Sequence, residues 1–312
     1  MSRRAARAAV AAALAGASAL GACGFGAGGE REGGAAGLRV TRDFGRDALA
    51  SARLDPVRED ETVMRFLRRE AEVETRFGGR FVQAIEGLAG GGAGSTRDWF
   101  FWVNGLESSV GAAEYELSPG DRVQWDYRDW EATMRVPAIV GAFPEPFVNG
   151  IEGRRRPVRV ECEDAESDAC ETVKEALRER GVPATGASLG TSGTRNVIRV
   201  VVGNWAAVRL VQALAEIDDG PRESGVFARF VGDGDALALL GEDGRPVEEQ
   251  QCCSGLVAAV APSPEEIVWA VTGLDDMGVL AAARLLKEST LRDAFAVAIT
   301  PRGMRRLPME RP

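Results

Sequence analysis

Histidine is absent from the 312-residue sequence, which limits the chemistry that its side chains can perform. A chain without imidazole has no Ser-His-Asp or Cys-His catalytic triad and no zinc site that requires histidine ligands. Carboxylates such as Asp126, Asp129 and Glu131 could act as a general acid and base, but Asp126 and Asp129 face opposite sides of a strand. We therefore interpret them as solvated surface charge, and we predict no catalytic residue, no enzyme activity and no cofactor.

The first of the five cysteines ends a segment that has the pattern of an export signal. Three arginines within residues 1–7 precede the small, apolar residues 8–22, which are too few to cross a bilayer core of about 30 Å as a helix. Residues 20–23, with the sequence LGAC, look like a lipobox, the site at which bacterial lipoprotein signal peptides are cut. We predict a signal peptide over residues 1–22 and lipidation of Cys23. The alternative is an ordinary secretory signal in which Cys23 is incidental.

A glycine-rich stretch over residues 23–37 follows the predicted lipidation site. Seven of the residues 24–37 are glycine, and a coil of this composition spans about 20 Å. The stretch therefore predicts a tether that holds the chain on the extracytoplasmic face of the cell membrane by a lipid anchor. The net charge of −9 predicts no nucleic-acid partner.

Export changes the interpretation of the other four cysteines, because disulfides persist outside the reducing cytoplasm. Cys162 ends a strand-like run and Cys170 opens a helix-like run, so we predict a local disulfide between them. A bond between the adjacent Cys252 and Cys253 would be strained, and the pairing of these two stays open. The cysteines lack the C-x2-C spacing of metal sites, so no metal site is predicted.

Aromatic residues concentrate between positions 98 and 130. Aromatic and amide side chains of this segment could stack on a ligand or orient it, and the candidate ligand-binding residues are Trp99, Trp102, Asn104, Tyr115, Trp125, Tyr127 and Trp130. The alternative is that they form a hydrophobic core, because side chains of adjacent strands stack across a sheet.

The elements that must position these residues form a first unit over residues 38–140. Residues 38–44 alternate like a strand, and a helix and further strands follow. Asn104-Gly105 between two strand-like runs is the sequence of a type I′ hairpin. One helix with about five strands predicts an α+β, β-grasp-like domain.

Four features of this unit recur in a known bacterial domain: the strand ending in Val103-Asn104-Gly105, the segment Gly111-Ala112-Ala113-Glu114-Tyr115, the turn Gly120-Asp121, and the strand closing on Trp130. In these features the unit resembles the transcobalamin-like C-terminal domain family, which has no assigned activity. The resemblance implies a β-grasp fold for about residues 38–140. The same pattern is found in the β-domain of vitamin B12 carriers, which hold a corrinoid between that domain and a helical barrel. No such barrel is encoded here, so the resemblance permits a corrinoid-type ligand without requiring one.

Residues 141–157 predict a hinge, because three prolines and three glycines interrupt regular structure. The run Arg154-Arg155-Arg156 would keep the hinge solvated or contact anionic lipid headgroups.

The second unit, residues 158–312, alternates strands with helices and predicts an α/β sandwich with a mixed, partly parallel sheet. Strands are expected at residues 158–162, 196–202, 227–230, 236–240, 256–260, 267–272 and 294–300. Helices are expected at residues 169–181, 205–217 and 278–287.

Two segments of this unit, residues 200–205 and 270–276, run from a strand through a glycine turn to a helix. Asn204 is expected to cap the first of these helices. The packing of each strand against its helix and the capping of the helix N-terminus explain both segments. The alternative is a ligand cleft at the carboxyl ends of the strands, where Asp275 and Asp276 would disfavour an anionic nucleotide.

These observations predict a lipid-anchored extracytoplasmic protein that binds a small molecule, of vitamin or corrinoid type, or assists a membrane transporter. The alternative is a structural or interaction module of the cell envelope without a small ligand.

Overall fold

The computed structural model describes residues 34–92, 94–193 and 195–311. The predicted signal peptide, the lipidation site Cys23 and most of the predicted tether lie outside the described residues. No helix in the described ranges is both long and apolar enough to cross a membrane.

The first unit contains a five-stranded mixed sheet, a helix and a small three-stranded sheet. Its elements are β1 (Ala36–Arg42), β2 (Asp47–Leu54), α1 (Val63–Glu70), β3 (Val73–Arg76), β4 (Phe81–Ile85), β5 (Leu88–Ala89), β6 (Arg97–Val103), β7 (Leu106–Glu107) and β8 (Arg122–Asp129). The large sheet has the order β2-β1-β8-β6-β7, in which β1 is parallel to β8 and the other neighbours are antiparallel. The hairpins β1–β2 and β6–β7 lie on either side of the central strand β8, and with the helix they form the expected β-grasp-like unit.

Side chains alternate between the two faces of this sheet, and both faces are covered. Leu38 and Trp125 belong to one face and share a hydrophobic core with Phe66 of α1. Trp102 belongs to the opposite face, and its ring lies edge-on to Phe295 of the second unit with centroids 5.0 Å apart. The first sheet therefore lies between its own helix and the second unit.

The second unit is built on a seven-stranded sheet with helices on both faces. Its elements are β9 (Val158–Cys162), α2 (Asp168–Arg178), β10 (Ala184–Ser188), β11 (Val197–Asn204), α3 (Trp205–Val208), α4 (Gln212–Ala215), α5 (Pro221–Ser224), β12 (Ala228–Val231), β13 (Ala236–Leu240), β14 (Pro246–Gln250), β15 (Gly255–Ser263), β16 (Glu266–Gly273), α6 (Asp276–Ala283), α7 (Glu288–Leu291), β17 (Ala296–Thr300) and β18 (Gly303–Leu307).

The large sheet of this unit has the order β10-β9-β11-β16-β15-β17-β18. The pairs among β10, β9, β11 and β16 are parallel, whereas β15, β17 and β18 join by antiparallel pairs. Helices α2 and α6 pack on one face. Helices α3 and α4 and the small sheet β12-β13-β14 pack on the other. This arrangement is the predicted α/β sandwich with a mixed, partly parallel sheet.

Strands β2, β10, β14 and β18 are absent from the expectations from sequence. Each lies at the edge of its sheet, and most of their residues are exposed or half-buried. An edge strand buries few side chains, so its sequence lacks the apolar pattern on which a strand prediction depends.

The expected single helix over residues 205–217 is wrong, because the segment is divided between α3, α4 and a 3₁₀ turn. Val211 has extended backbone angles (φ −76°, ψ 109°), which end the helix between α3 and α4. Asn204 is the N-cap residue of α3, as expected, but its side chain makes no capping hydrogen bond. The Asn204 side chain instead donates from Nδ2 to Asp276 Oδ1 at 2.9 Å, which joins the end of β11 to the start of α6.

The segment predicted as a hinge, residues 141–157, is only partly solvated. Phe143 and Phe147 are buried, and their ring centroids lie 6.1 and 4.9 Å from that of Trp269 in β16. Residues 152–155, which include two of the three arginines, are exposed as expected. The first half of the segment therefore packs on the second sheet, and its role as a hinge stays a prediction.

Candidate functional site

The seven candidate ligand-binding residues do not line one surface. Tyr127 and Trp130 are half-buried, and the others are buried: Trp99, Trp102, Asn104, Tyr115 and Trp125. Their role in ligand binding stays a prediction, but their burial supports the alternative in which they form the hydrophobic core.

The tryptophans belong to opposite faces of the first sheet. Trp99 donates from Nε1 to the Leu88 carbonyl at 2.8 Å, and Trp125 stacks on Phe101 with ring centroids 4.8 Å apart. Trp102 points to the other face and donates from Nε1 to the Val136 carbonyl at 2.7 Å. The tryptophans therefore belong to two separate packing environments, one on each face of the sheet.

Asn104 is a turn residue with a structural role. Asn104 and Gly105 have φ values of 54° and 79°, as the predicted type I′ turn requires. The buried Asn104 side chain donates from Nδ2 to Asp121 Oδ1 and to the Gly150 carbonyl, each at 2.8 Å. It also accepts from the backbone N–H of Arg122 at 2.8 Å, so it ties three loops together.

Tyr115, another candidate, is buried in the core beneath α1. Burial is the main cause that raises the pKa of its hydroxyl, and the nearby Asp121 acts in the same direction.

The interpretation of Asp126 as solvated surface charge is wrong, because the residue is fully buried. Its carboxylate accepts from Thr41 Oγ1 at 2.7 Å and from the backbone N–H groups of Phe44 and Gly45 at 2.9 and 2.8 Å. Burial raises the pKa of Asp126 to about 6, although these hydrogen bonds oppose the shift. Asp126 holds the turn between β1 and β2 and does not line an open site.

A groove of about 640 Å³ lies between the first sheet and the second unit. Its charged lining residues are Arg39, Arg53, Asp121, Arg122, Glu145, Glu288, Arg292 and Asp293. No tryptophan of the described ranges lines it. The groove is therefore a site that the aromatic pattern did not indicate, and its residues are distant in sequence.

Ion pairs cross the groove from one unit to the other. Arg39 of β1 donates from Nε to Asp293 Oδ1 at 2.8 Å, and its second contact goes to the other oxygen of the same carboxylate. Arg122 of β8 donates to Glu288 Oε1 at 2.9 Å, and Gln124 donates to the Asp293 carbonyl at 3.1 Å. These contacts hold the two units in a defined relative position.

The groove also contains an arginine whose guanidinium is available. Arg292 is exposed and forms no side-chain hydrogen bond or ion pair with any residue of the described ranges. By contrast, Arg39 and Arg122 are occupied by carboxylates.

Two acids at the groove are shielded from solvent. Burial raises the pKa of Asp121 to about 6, against the opposing hydrogen bonds from Ser118 and Asn104. Burial likewise raises the pKa of Glu145, which accepts from the backbone N–H of Asn149 at 2.8 Å. Protonation of Asp121 near pH 6 would leave the groove more positive.

A second recess, of about 460 Å³, lies at the carboxyl ends of β9 and β11. Acidic side chains including Glu163, Asp168 and Asp276 line it, and Glu163 Oε2 accepts from the backbone N–H of Asn204 at 2.7 Å. The recess lies at the end of β11, where a cleft was considered from sequence, and Asp276 lines it whereas Asp275 does not. That anionic nucleotides are disfavoured there stays a prediction.

A disulfide joins Cys162 and Cys170, the pair predicted from sequence, and it links the end of β9 to the start of α2. Cys252 and Cys253 are free thiols, the first exposed and the second half-buried. Their sulfurs interact, and this contact with Cys252 raises the pKa of Cys253 to about 11. In the described ranges, no group of three or more cysteine or acidic side chains is arranged to hold a metal ion.

Residues 60–129 match a family described as Domain of unknown function (DUF4430). The match covers α1 to β8, less than a quarter of the chain, and includes the aromatic strands β6 and β8. None of the curated proteins compared with the chain matches it.

Proposed function

We propose that the protein is a lipid-anchored extracytoplasmic protein that binds a small molecule in the groove between its two units and delivers it to, or assists, a membrane transporter. The lipobox-like residues 20–23 support the anchor. The groove, with the available guanidinium of Arg292, is the observation that carries the binding proposal.

The size and charge of the groove indicate what it could hold. A volume of about 640 Å³ falls within the range of about 300–1,000 Å³ typical of small-molecule sites. Arg292 at its edge would bind a carboxylate or phosphate group, because a guanidinium pairs with both oxygens of such groups. The proposed ligand is therefore a small polar molecule that carries an anionic group.

The resemblance of residues 38–140 to the transcobalamin-like C-terminal domain family makes corrinoids the first compounds to test. A corrinoid is larger than the groove, so it would occupy the groove only in part. A smaller anionic vitamin or metabolite would fit within it.

Thermal unfolding of the lipidated protein in detergent tests the proposal, with cyanocobalamin, thiamine monophosphate and succinate as separate probes. Saturation at about a hundred times the dissociation constant stabilises the folded state by about 2.7 kcal/mol, which raises Tm by about 5 °C. Arg292→Ala is expected to remove the shift given by an anionic probe. The matched control is Arg180→Ala, since Arg180 is exposed and lies outside the groove. If no probe changes Tm, or if Arg292→Ala retains the full shift, binding in this groove is disproved.

The second candidate function is an interaction module of the cell envelope without a small ligand. An exposed pair of phenylalanines at the tip of the β3–β4 hairpin favours it. Recovery of a specific protein with the lipidated chain from membranes, together with no response to any probe, would favour this candidate.

A further inference from the structure

The turn between β3 and β4 exposes two aromatic rings. Phe77 is 80% exposed and Phe81 is 42% exposed, and their ring centroids lie 6.4 Å apart. Other large apolar side chains are exposed as well, among them Leu210 at 83%. Single exposed apolar residues are ordinary, whereas adjacent ones mark contact surfaces. In the described ranges, Phe77 and Phe81 are the exposed pair whose rings touch.

Phe77 occupies a backbone position that suits other residues better. Its φ is 53°, and Gly78 and Gly79 follow with φ values of 71° and 91°. A bulky side chain is rare in this left-handed region, which glycine and asparagine adopt with less strain. The fold gains little burial from the Phe77 ring, which is 80% exposed, so folding alone does not explain a phenylalanine here.

The same tip is basic, although the whole chain is acidic. Residues 75–85 contain Arg76 and Arg80 and no acidic residue. Arg68 of α1 adds a third guanidinium: it donates to Thr75 Oγ1 at 3.1 Å, and its Nη1 lies 3.8 Å from where a Cβ on Gly79 would be.

Within the described ranges, one ion pair involves these arginines. Arg80 Nε lies 3.7 Å from Glu114 Oε1, and both side chains are well exposed. Such an exposed pair is weak, so Arg80 remains available to another anion. The pair places the tip beside the loop that carries Val110, which is itself 46% exposed.

We propose that this hairpin tip, residues 76–81, binds the surface of an anionic phospholipid bilayer. The two phenylalanine rings would enter the boundary between headgroups and acyl chains, and the three arginines would pair with lipid phosphates. Exposed aromatic residues combined with basic ones are the features by which proteins lie on a membrane surface. The arginines are the reason for choosing a lipid surface over a neutral apolar partner.

The proposal rests on the proposed lipid anchor for its biological setting. Because β1 begins at Ala36, the tether would comprise residues 23–35; with a span of about 20 Å, it would keep the tip close to the bilayer and raise its effective concentration there. The contact would then fix the orientation of the groove relative to the membrane, which a flexible tether alone leaves free.

The test uses a chain of residues 24–312, which lacks the anchor, so that any binding comes from the folded part. Every contact described here lies within residues 34–311, so this chain retains all of them. Cosedimentation is measured with vesicles of phosphatidylglycerol and with vesicles of phosphatidylcholine. We expect binding to the anionic vesicles that weakens as salt increases, and weak binding to the neutral ones.

Two double variants separate the apolar and the charged parts of the contact. Phe77→Ser with Phe81→Ser is expected to lower binding to phosphatidylglycerol vesicles by at least about tenfold. Arg76→Ser with Arg80→Ser is expected to lower it by about tenfold or more, because each arginine near an anionic surface contributes about fivefold. The matched control, Leu210→Ser, should bind as the unchanged chain does. Unchanged Tm values would show that the variants are folded, as expected for exposed side chains.

The proposal is overturned if the unchanged chain fails to bind phosphatidylglycerol vesicles, or if the phenylalanine variant binds them as well as the control does. Capture of a protein by this tip without vesicle binding also overturns it, in favour of a protein partner. Mass spectrometry of Cys23 in the full chain tests the anchor separately, so failure of the anchor and failure of the hairpin contact are distinguishable.

Discussion

The two faces of the five-stranded sheet are both buried, but the groups that they bury differ in kind. The face toward α1 is apolar, with residues such as Leu38, Val40 and Trp125. The face toward the second unit includes Gln124, Asp126 and Arg128, which are polar or charged and nevertheless buried. The face toward α1 forms a hydrophobic core with residues of its own unit. The face toward the second unit is buried by residues that lie later in the chain.

Arg128 shows how the face toward the second unit tolerates a buried charge. Its guanidinium lies over the ring of Phe100 at 3.9 Å and donates to the carbonyls of Thr133 and Met134 at 2.9 and 2.8 Å. Burial lowers the pKa of Arg128 to about 10, while nearby Asp126 acts in the opposite direction. Specific contacts therefore stabilise the buried charge on this face. The aromatic residues around Arg128 contribute to the packing of the face.

The largest expected effect is that of Arg128→Met. The variant leaves two backbone carbonyls unpaired and removes the positive charge near Asp126, so we expect a loss of about 3 kcal/mol or more in the free energy of unfolding. Urea denaturation measures the loss. Arg180→Met, at an exposed position, should change stability by less than about 0.5 kcal/mol. If the two variants lose the same free energy of unfolding, the buried Arg128 contributes no more to stability than an exposed arginine does.

A smaller effect is expected from pH, through Asp126. Its folded-state pKa of about 6 lies above the ordinary value of 3.8, so the folded state binds this proton more tightly than the unfolded state does. Stability from this group is therefore present at low pH and is lost as pH rises from about 4 to 7, by about 2 kcal/mol. Asp126→Asn should remove this part of the pH dependence in urea titrations. The same pH profile in both proteins would contradict the assignment to Asp126.

The smallest expected effect compares one tryptophan from each face. Trp102→Phe removes the hydrogen bond to the buried Val136 carbonyl, which costs about 1–2 kcal/mol beyond the lost packing. Trp125→Phe removes no such bond, because its buried Nε1 has no partner in the described ranges. Thermal unfolding of the two variants should therefore show a larger decrease for Trp102→Phe. A larger decrease in Tm for Trp125→Phe would mean that the hydrogen bond of Trp102 does not explain the difference in stability between the two variants.

Local patterns in the sequence predicted much of the fold. The Asn104-Gly105 turn and the Cys162–Cys170 disulfide each depend on residues close together in the chain, and the structure contains both. The edge strands were missed because exposed strands lack an apolar pattern. The prediction of a single helix after Asn204 was wrong because Val211 adopts an extended backbone conformation. The residue type alone did not predict this conformation.

The candidate site could not be predicted in the same way. Its ion pair between Arg39 and Asp293 joins residues 254 positions apart, and no spacing rule connects such residues. The aromatic segment indicated a ligand-binding surface because stacking on a ligand and stacking within a core require the same residue types.

The histidine-free composition excluded histidine-dependent chemistry, and the periodicity of the chain predicted the fold class, because these properties depend only on which residues are present and on their near neighbours. The tertiary structure alone decided that Trp102 and Asp126 are buried, that Arg292 lies free at a groove, and that Phe77 and Phe81 remain exposed. The physical reason is that the burial of a side chain depends on the part of the chain that packs against it. For the face of the first sheet toward the second unit, that part lies in the second unit.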